Sequence, residues 1–130
     1  MKIHHIGYLV KRINCAVSEF QSLGFQIEMP TVFDITRKVY ICFMVNKNYR
    51  VELISPEGKE SPIYSLLTKY KNTPYHICYC THNLEDTIKN MLEHGFMIFQ
   101  EPAVAPAIQN KKVVFMISPE IGIVEILEEY

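Results

Sequence analysis

The chain has 130 residues, of which 48% are hydrophobic and 21% charged, and its formal net charge is −1. This length suits one domain with a real core, and the near-neutral charge balance gives no support to a nucleic-acid-binding protein, which would need a clearly basic face. No apolar run approaches the roughly 20 residues of a membrane helix, and the N-terminus lacks the features of a signal peptide. We therefore expect a cytoplasmic protein that binds neither nucleic acid nor membrane.

Four cysteines occur, at positions 15, 42, 78 and 80. None of them forms a CxxC pair, which argues against a zinc ribbon or a thioredoxin motif. In a reducing compartment we expect all four to be buried thiols rather than disulfides.

The first half of the chain predicts a strand, a helix and three more strands. Asn14 is expected to cap the helix, and Gly24 follows it where a left-handed cap is needed. Asn46 to Asn48 is typical of a hairpin turn. The predicted bounds are Ile3–Val10 for the first strand, Asn14–Leu23 for the helix, and Phe25–Met29, Lys38–Val45 and Tyr49–Ile54 for the later strands.

The stretch "SPEGKESPIYSLLTKY" interrupts this pattern with proline and glycine. Ser61 followed by Pro62 is a helix-start signal, a capping residue before a proline in the first helical position. We interpret the stretch as a connector with one short helix.

After the connector the first pattern is repeated. "HIGYLVKRINCAVSEFQSLGF", from His5, aligns without a gap on "HICYCTHNLEDTIKNMLEHGF", from His76. Further along, "RKVYI" resembles "KKVVF" and "RVELI" resembles "IVEIL". Asn83 is expected to cap the second helix, with acidic residues in its first turn. The sequence thus predicts two βαβββ modules within one domain of residues 1–130: module 1 at about 1–55, a connector at about 56–74, and module 2 at about 75–130.

The repeat also duplicates polar residues within apolar strands. Each module has a histidine on its first strand, His5 or His76, and a glutamate on its last, Glu52 or Glu125. Side chains alternate along a strand, so the apolar neighbours of each glutamate face the helix and the glutamate faces the other way. A single strand histidine is usually a core or rim residue, but the duplication favours a site. Two imidazoles and two carboxylates suit one divalent ion, Ni²⁺, Zn²⁺, Co²⁺, Fe²⁺ or Mn²⁺, with open positions for substrate.

At these residues the chain resembles the vicinal oxygen chelate (glyoxalase/bleomycin-resistance) superfamily. The resemblance covers essentially the whole chain. The segments that are similar to its methylmalonyl-CoA epimerase branch are "HHIGYLVK", "VELISPEGKESPI", "YHICY" and "EPAVAPAIQNKKVVFMISP". The resemblance implies an α+β fold, in which two βαβββ modules form a cupped mixed sheet around a metal. It also implies that His5, Glu52, His76 and Glu125 are the metal ligands.

The resemblance further implies a metal-dependent lyase or isomerase that moves a proton next to a carbonyl. The first interpretation is a glyoxalase I (lactoylglutathione lyase) type, and the alternative is a methylmalonyl-CoA epimerase type. A third hypothesis is a non-catalytic, resistance-type binding protein. By the same resemblance Glu125 and Glu52 are the candidate bases, with Glu125 preferred. The middle strand "KVYICFMV" has no carboxylate, which counts against an epimerase that recruits a second base from that strand.

The substrate is expected to be a thioester or a hemithioacetal. Leu9 stands where glyoxalase I usually has an arginine, which counts against a standard glutathione substrate. Basic residues at the starts of the third strands are candidates for binding a carboxylate or a CoA phosphate, and a homodimer is the family expectation. These substrate-binding candidates are Arg37, Lys38, Lys111 and Lys112.

Overall fold

A computed structural model describes residues 1–129. The chain divides into two compact units, His5–Tyr75 and Met1–His4 together with His76–Tyr130. Each predicted βαβββ order is present, so the predicted repeat is confirmed. None of the helices in residues 1–129 has the length and hydropathy that crossing a membrane requires.

The first module follows the predicted order. Its elements are β1 (Lys2–Leu9), α1 (Ile13–Ser22), β2 (Gln26–Asp34), β3 (Val39–Asn46) and β4 (Tyr49–Pro56). Of the strands, β2 and β4 are longer than predicted, and β1 and β3 are displaced by one residue. The strands lie in the order β2-β3-β4-β1, and β1 runs parallel to β4 while the other pairs are antiparallel.

The second module has the same arrangement. Its elements are β5 (Thr73–Thr81), α3 (Leu84–Glu93), β6 (Met97–Ala105), β7 (Lys111–Ser118) and β8 (Gly122–Glu128). The strands lie in the order β5-β8-β7-β6, with β5 parallel to β8 and a 3₁₀ turn, Pro106–Ile108, before β7.

The connector helix begins later than predicted. It is α2 (Tyr64–Tyr70), and its N-cap residue, Ile63, makes no side-chain capping hydrogen bond. Ser61 is buried and donates its hydroxyl to the carbonyl oxygen of Arg37 at 3.3 Å. The predicted start at Ser61 is wrong because this hydroxyl ties the connector to the turn before β3.

The two module helices begin differently. Asn83 accepts a hydrogen bond from the backbone N–H of Asp86 at 3.0 Å, so the predicted cap of α3 is confirmed. The predicted cap at Asn14 is wrong: α1 begins one residue earlier, after Arg12, without a side-chain cap. Gly24 has a φ of +94°, which confirms the left-handed conformation expected after α1.

Each helix covers one face of its own module's strands. Val51 and Leu53 of β4 pack with residues of α1, and Val124 and Ile126 of β8 pack with residues of α3. Each fully buried aliphatic side chain contributes about 1.5–3 kcal/mol. Because strand residues alternate, the glutamate between each of these pairs faces away from the helix, as predicted.

The edge strands β2 and β6 carry bulges at matching places. The register shifts between Ile27 and Met29 in β2, and between Ile98 and Gln100 in β6. The extra residue at this bulge is therefore Glu28 in one module and Phe99 in the other. A bulge bends its strand and redirects the side chain at that point.

Candidate metal centre

The first His/Glu pair is formed by neighbouring strands. Glu52 of β4 lies opposite Gly7 of β1, and His5 lies two residues before Gly7 on the same strand. His5 Nε2 is 3.3 Å from Glu52 Oε1. His5 is 1% exposed and Glu52 is 4% exposed, so this polar contact is closed to bulk water.

The second pair repeats this arrangement in module 2. Glu125 of β8 lies opposite Cys78 of β5, and His76 lies two residues before Cys78. His76 Nε2 is 3.1 Å from Glu125 Oε1, and both residues are buried. We call the strand face that bears a His/Glu pair the His/Glu face of its module.

A phenylalanine supports each pair, and sequence reasoning missed both. Phe43 lies opposite Glu52 on β3, and its ring meets the His5 imidazole edge-on at a centroid distance of 5.2 Å. Phe115 lies opposite Glu125 on β7 and meets His76 in the same way, also at 5.2 Å. Phe43 precedes Glu52 by nine residues whereas Phe115 precedes Glu125 by ten, so a comparison of the spacings in the sequence gives only a weak signal.

The alignment of the third strands explains this omission. Matching "RKVYI" to "KKVVF" pairs Ile41 with Phe115. In the structure Ile41 lies opposite Ile54, and Val113 lies opposite Leu127. Ile54 and Leu127 both lie two residues after the glutamate of their own strand. The matching residue of Ile41 is therefore Val113, and the sequence alignment of these strands is wrong by two residues.

The donor atoms of each pair fit a divalent metal. Imidazole nitrogen and carboxylate oxygen are both ligands that first-row divalent ions accept. In each pair the Nε2 atom faces the carboxylate, which holds the ring in a fixed orientation. A buried carboxylate is costly without a partner, and the imidazole N–H partly offsets that cost. A metal ion would be held by the same His and Glu side chains, in place of the hydrogen bond between them.

The thiols differ in exposure. Cys15 is exposed, contrary to the prediction, whereas Cys42, Cys78 and Cys80 are buried, and none of the four forms a disulfide within residues 1–129. Burial raises the pKa of the Cys42 thiol. Burial also raises the pKa of the Cys80 thiol, and the negative charge of Glu129 adds to this shift. Both thiols therefore stay protonated near neutral pH.

The basic candidates of the first module have local partners. Arg37 forms an ion pair with the buried Asp34, with Nη1 and Oδ2 at 2.8 Å, and Asp34 also accepts the backbone N–H of Arg37. Lys38 lies 3.6 Å from the exposed carboxylate of Glu60. Both residues precede β3 and contribute to the turn that leads into it.

The basic candidates of the second module occupy different positions. Lys111 and Lys112 are the first two residues of β7, rather than residues of the preceding turn. The sheet register therefore does not support the equivalence with Arg37 and Lys38 that the sequence suggested. Lys112 is exposed and Lys111 is half-buried.

A charged pair lies beside the first module's His/Glu pair. Arg50 precedes Glu52 by two residues and so shares its face of β4. Arg50 binds the bulge residue Glu28 through two hydrogen bonds, Nε to Oε1 at 2.8 Å and Nη2 to Oε2 at 3.0 Å. In module 2 the matching positions hold the apolar residues Phe99 and Ile123.

A cleft of about 300 Å³ lies beside α3. It is lined by Met1, Thr87, Asn90, Met91, His94 and Phe96. Its lining is mostly apolar and contains neither residue of the His76/Glu125 pair, so we do not assign it to the metal centre.

Comparison with known proteins gives a family and a set of similar folds. A sequence model described as the glyoxalase/bleomycin resistance protein/dioxygenase superfamily matches residues 4–115. No curated protein matches the chain.

Several solved structures are similar over nearly the whole chain. A hypothetical protein from Bacillus halodurans C-125 is 25% identical, with a TM-score of 0.86 over 99% of this chain and 94% of that one. Methylmalonyl-CoA epimerase from Mycobacterium tuberculosis is 15% identical, with a TM-score of 0.84 over 99% and 88%. A Streptomyces coelicolor methylmalonyl-CoA epimerase, in complex with 2-nitronate-propionyl-CoA, is 17% identical, with a TM-score of 0.85 over 99% and 94%. The predicted α+β glyoxalase-like fold is confirmed.

Proposed function

The chain belongs to the glyoxalase/bleomycin resistance protein/dioxygenase superfamily, and from this premise we propose that it is a metal-dependent isomerase of acyl thioesters. The reaction would move a proton on the carbon next to the thioester carbonyl. The observation that carries this proposal is the duplicated buried contact between a histidine and a glutamate, at 3.3 Å in one module and 3.1 Å in the other.

The four residues of the two pairs, His5, Glu52, His76 and Glu125, are the proposed ligands of one divalent ion. Their imidazole and carboxylate donors suit Ni²⁺, Zn²⁺, Co²⁺, Fe²⁺ or Mn²⁺. When bound, the metal would stabilise the negative oxygen that forms as the carbon loses its proton, a contribution of several kcal/mol. The symmetry of the pairs supports this assignment, because each module offers the same two donor types.

The chain's own carboxylates would move the proton. Glu125 would accept it from the substrate carbon, and Glu52 is the second candidate for holding or returning it. Both are buried at 3% and 4% exposure, which keeps water from competing for the proton. On β3 the residues that share the face of Glu52, Ile41 and Phe43 among them, have no carboxylate, so a base from that strand is not available.

The thioester substrate is favoured by the solved structures. One of the similar epimerases is a complex with methylmalonyl-CoA, 17% identical and with a TM-score of 0.84 over 98% of this chain. We therefore rank an epimerase-type reaction above the lactoylglutathione lyase type that the ligand set first suggested. Arg37, Lys38, Lys111 and Lys112 stay predictions for binding a substrate carboxylate or CoA phosphate.

Lactoylglutathione lyase activity is the second candidate. The His/Glu/His/Glu set that this chain shares by resemblance with glyoxalase I favours it. Leu9 disfavours it, because a buried leucine gives no cation for glutathione where that enzyme usually has an arginine. The homodimer and the cytoplasmic location expected from the sequence also stay predictions.

One paired assay tests these functions. Protein purified without a metal-binding tag is analysed for metal, loaded with Co²⁺, Ni²⁺ or Zn²⁺, and given either methylmalonyl-CoA or methylglyoxal with glutathione. We expect about one metal ion per chain and epimerisation of the thioester. Turnover of the hemithioacetal alone would support the second candidate, and metal binding without either activity would support a binding protein. Failure to bind any of the three metals would refute the metal-dependent proposal.

A further inference from the structure

In each module three side chains from adjacent strands meet on the His/Glu face. The first module brings together Phe43 of β3, Glu52 of β4 and His5 of β1. The second brings together Phe115 of β7, Glu125 of β8 and His76 of β5, in the same strand order. The unit that is duplicated is therefore a triad of imidazole, carboxylate and phenyl ring.

The rings lean toward each other across the strand that carries the carboxylate. Neighbouring strands are about 4.8 Å apart, so strands on either side of a third are about 10 Å apart. The ring centroids are nevertheless 5.2 Å apart in both modules, with interplanar angles of 77° for His5 and 89° for His76. Such edge-to-face contacts have a preferred geometry, unlike contacts between aliphatic side chains.

The residue beside each carboxylate leaves room for this arrangement. Gly7, which has no side chain, lies opposite Glu52. Cys78, which has a small side chain, lies opposite Glu125. Each imidazole is thus held from two directions. The carboxylate fixes the direction of Nε2, and the phenyl ring fixes the plane of the ring.

We propose that Phe43 and Phe115 are positioning residues, which hold His5 and His76 in the orientation needed to bind a metal ion. This inference rests on the proposed function, because it concerns the same ligands. An imidazole that is already oriented loses little freedom when the ion binds, so the affinity is higher than with a mobile ring. Neither phenylalanine is assigned a contact with the substrate.

A packing role makes a different prediction from a positioning role. The helix side of module 1 contains an aromatic contact of the same kind, between Phe20 and Phe25, at 5.2 Å and 88°. Phe25→Leu therefore removes an equivalent ring contact that no proposed ligand shares. It is the matched control for Phe43→Leu and Phe115→Leu.

The test measures metal affinity and ring orientation separately. Co²⁺ affinity is determined by competition with a chromophoric chelator, and thermal unfolding shows whether each variant is folded. In the metal-free protein the ¹H NMR signals of the two imidazoles report the ring currents of their aromatic neighbours.

We expect each site variant to bind Co²⁺ about tenfold more weakly, equivalent to about 1.4 kcal/mol. Phe43→Leu should shift the signals of His5 and leave those of His76 in place, and Phe115→Leu should do the reverse. Phe25→Leu should lower the melting temperature without changing Co²⁺ affinity by more than about twofold. Phe43→Met or Phe115→Met, whose flexible side chain fills irregular space, replaces any leucine variant that does not fold, with the same expectations.

Wild-type Co²⁺ affinity in folded variants of both phenylalanines would overturn the inference and leave the proposed function intact. So would a loss of affinity in Phe25→Leu as large as in the site variants, since the effect would then be general. Failure of the unmodified protein to bind Co²⁺ would instead refute the proposed metal centre, and the positioning role with it.

Discussion

Replacing Glu125 with glutamine separates proton transfer from folding. The amide has the shape of the carboxylate, and its oxygen can still accept a hydrogen bond from His76 Nε2, now 3.1 Å from Oε1. A hydrogen bond to a charged group contributes about 1.5–3 kcal/mol and a neutral one about 0.5–1.5, so the expected loss of stability is about 1 kcal/mol. The corresponding decrease in melting temperature is about 3 °C.

The effect on catalysis should be far larger than this. A general base contributes about 10²- to 10⁴-fold to the rate, so we expect a fall in kcat of about a thousandfold, equivalent to about 4 kcal/mol. The assay follows solvent deuterium entering methylmalonyl-CoA by mass spectrometry, with the metal content of each preparation measured alongside. Glu52→Gln is measured in parallel, and Glu120→Gln, at an exposed position, is the control.

The result has a clear interpretation. Exchange that falls in Glu125→Gln while metal content is retained supports its role as a base, and an equal fall in Glu52→Gln means that both carboxylates move protons. Wild-type exchange in Glu125→Gln, with one metal per chain, would refute the assignment of this residue.

Three further predictions concern the metal, helix α3 and the thiols. Co²⁺ at about 100 times its Kd should stabilise the protein by about 2.7 kcal/mol and raise the melting temperature by roughly 8 °C; no change would contradict a folded-state metal site. Asn83→Ala should lower the free energy of unfolding by about 1 kcal/mol, as measured by chemical denaturation. An unchanged free energy of unfolding would contradict the role of Asn83 as the cap of α3. Iodoacetamide should modify Cys15 before Cys42 and Cys80, as peptide mapping will show. Because burial raises the pKa of those two thiols, their contribution to stability is complete below the ordinary thiol pKa and declines as the pH rises above it.

The repeat made much of the fold predictable. Two segments that begin at His5 and His76 align without a gap, so each supports the assignment of the other. The alternation of apolar and polar residues around Glu52 then gave the correct face for its carboxylate, because a period of two is a local property of a strand. The same parity gave the correct face for Glu125.

The predictions failed where a residue's partner is distant in sequence. Ser61 has the composition of a helix cap, but its hydroxyl bonds to the turn before β3. Asn14 is an exception to this rule, since it failed as a cap for a local reason: α1 already begins at Ile13. The phenylalanine rings were missed because the third strands were aligned on a local similarity, two basic residues before a valine, that the sheet register does not follow. A hydrogen bond or a register with a distant strand leaves no mark in the local sequence.

The residues at the two bulges can differ because both modules belong to one chain. A protein assembled from two identical single-module chains must carry every substitution twice, since both copies are read from one gene. In this chain Glu28 and Arg50 form a salt bridge in module 1, while Phe99 and Ile123 occupy the same register in module 2. Joining the copies in one polypeptide allows each to mutate independently. In this chain the residues at the edge-strand bulges differ between the modules, whereas both modules have a histidine and a glutamate at the matching positions.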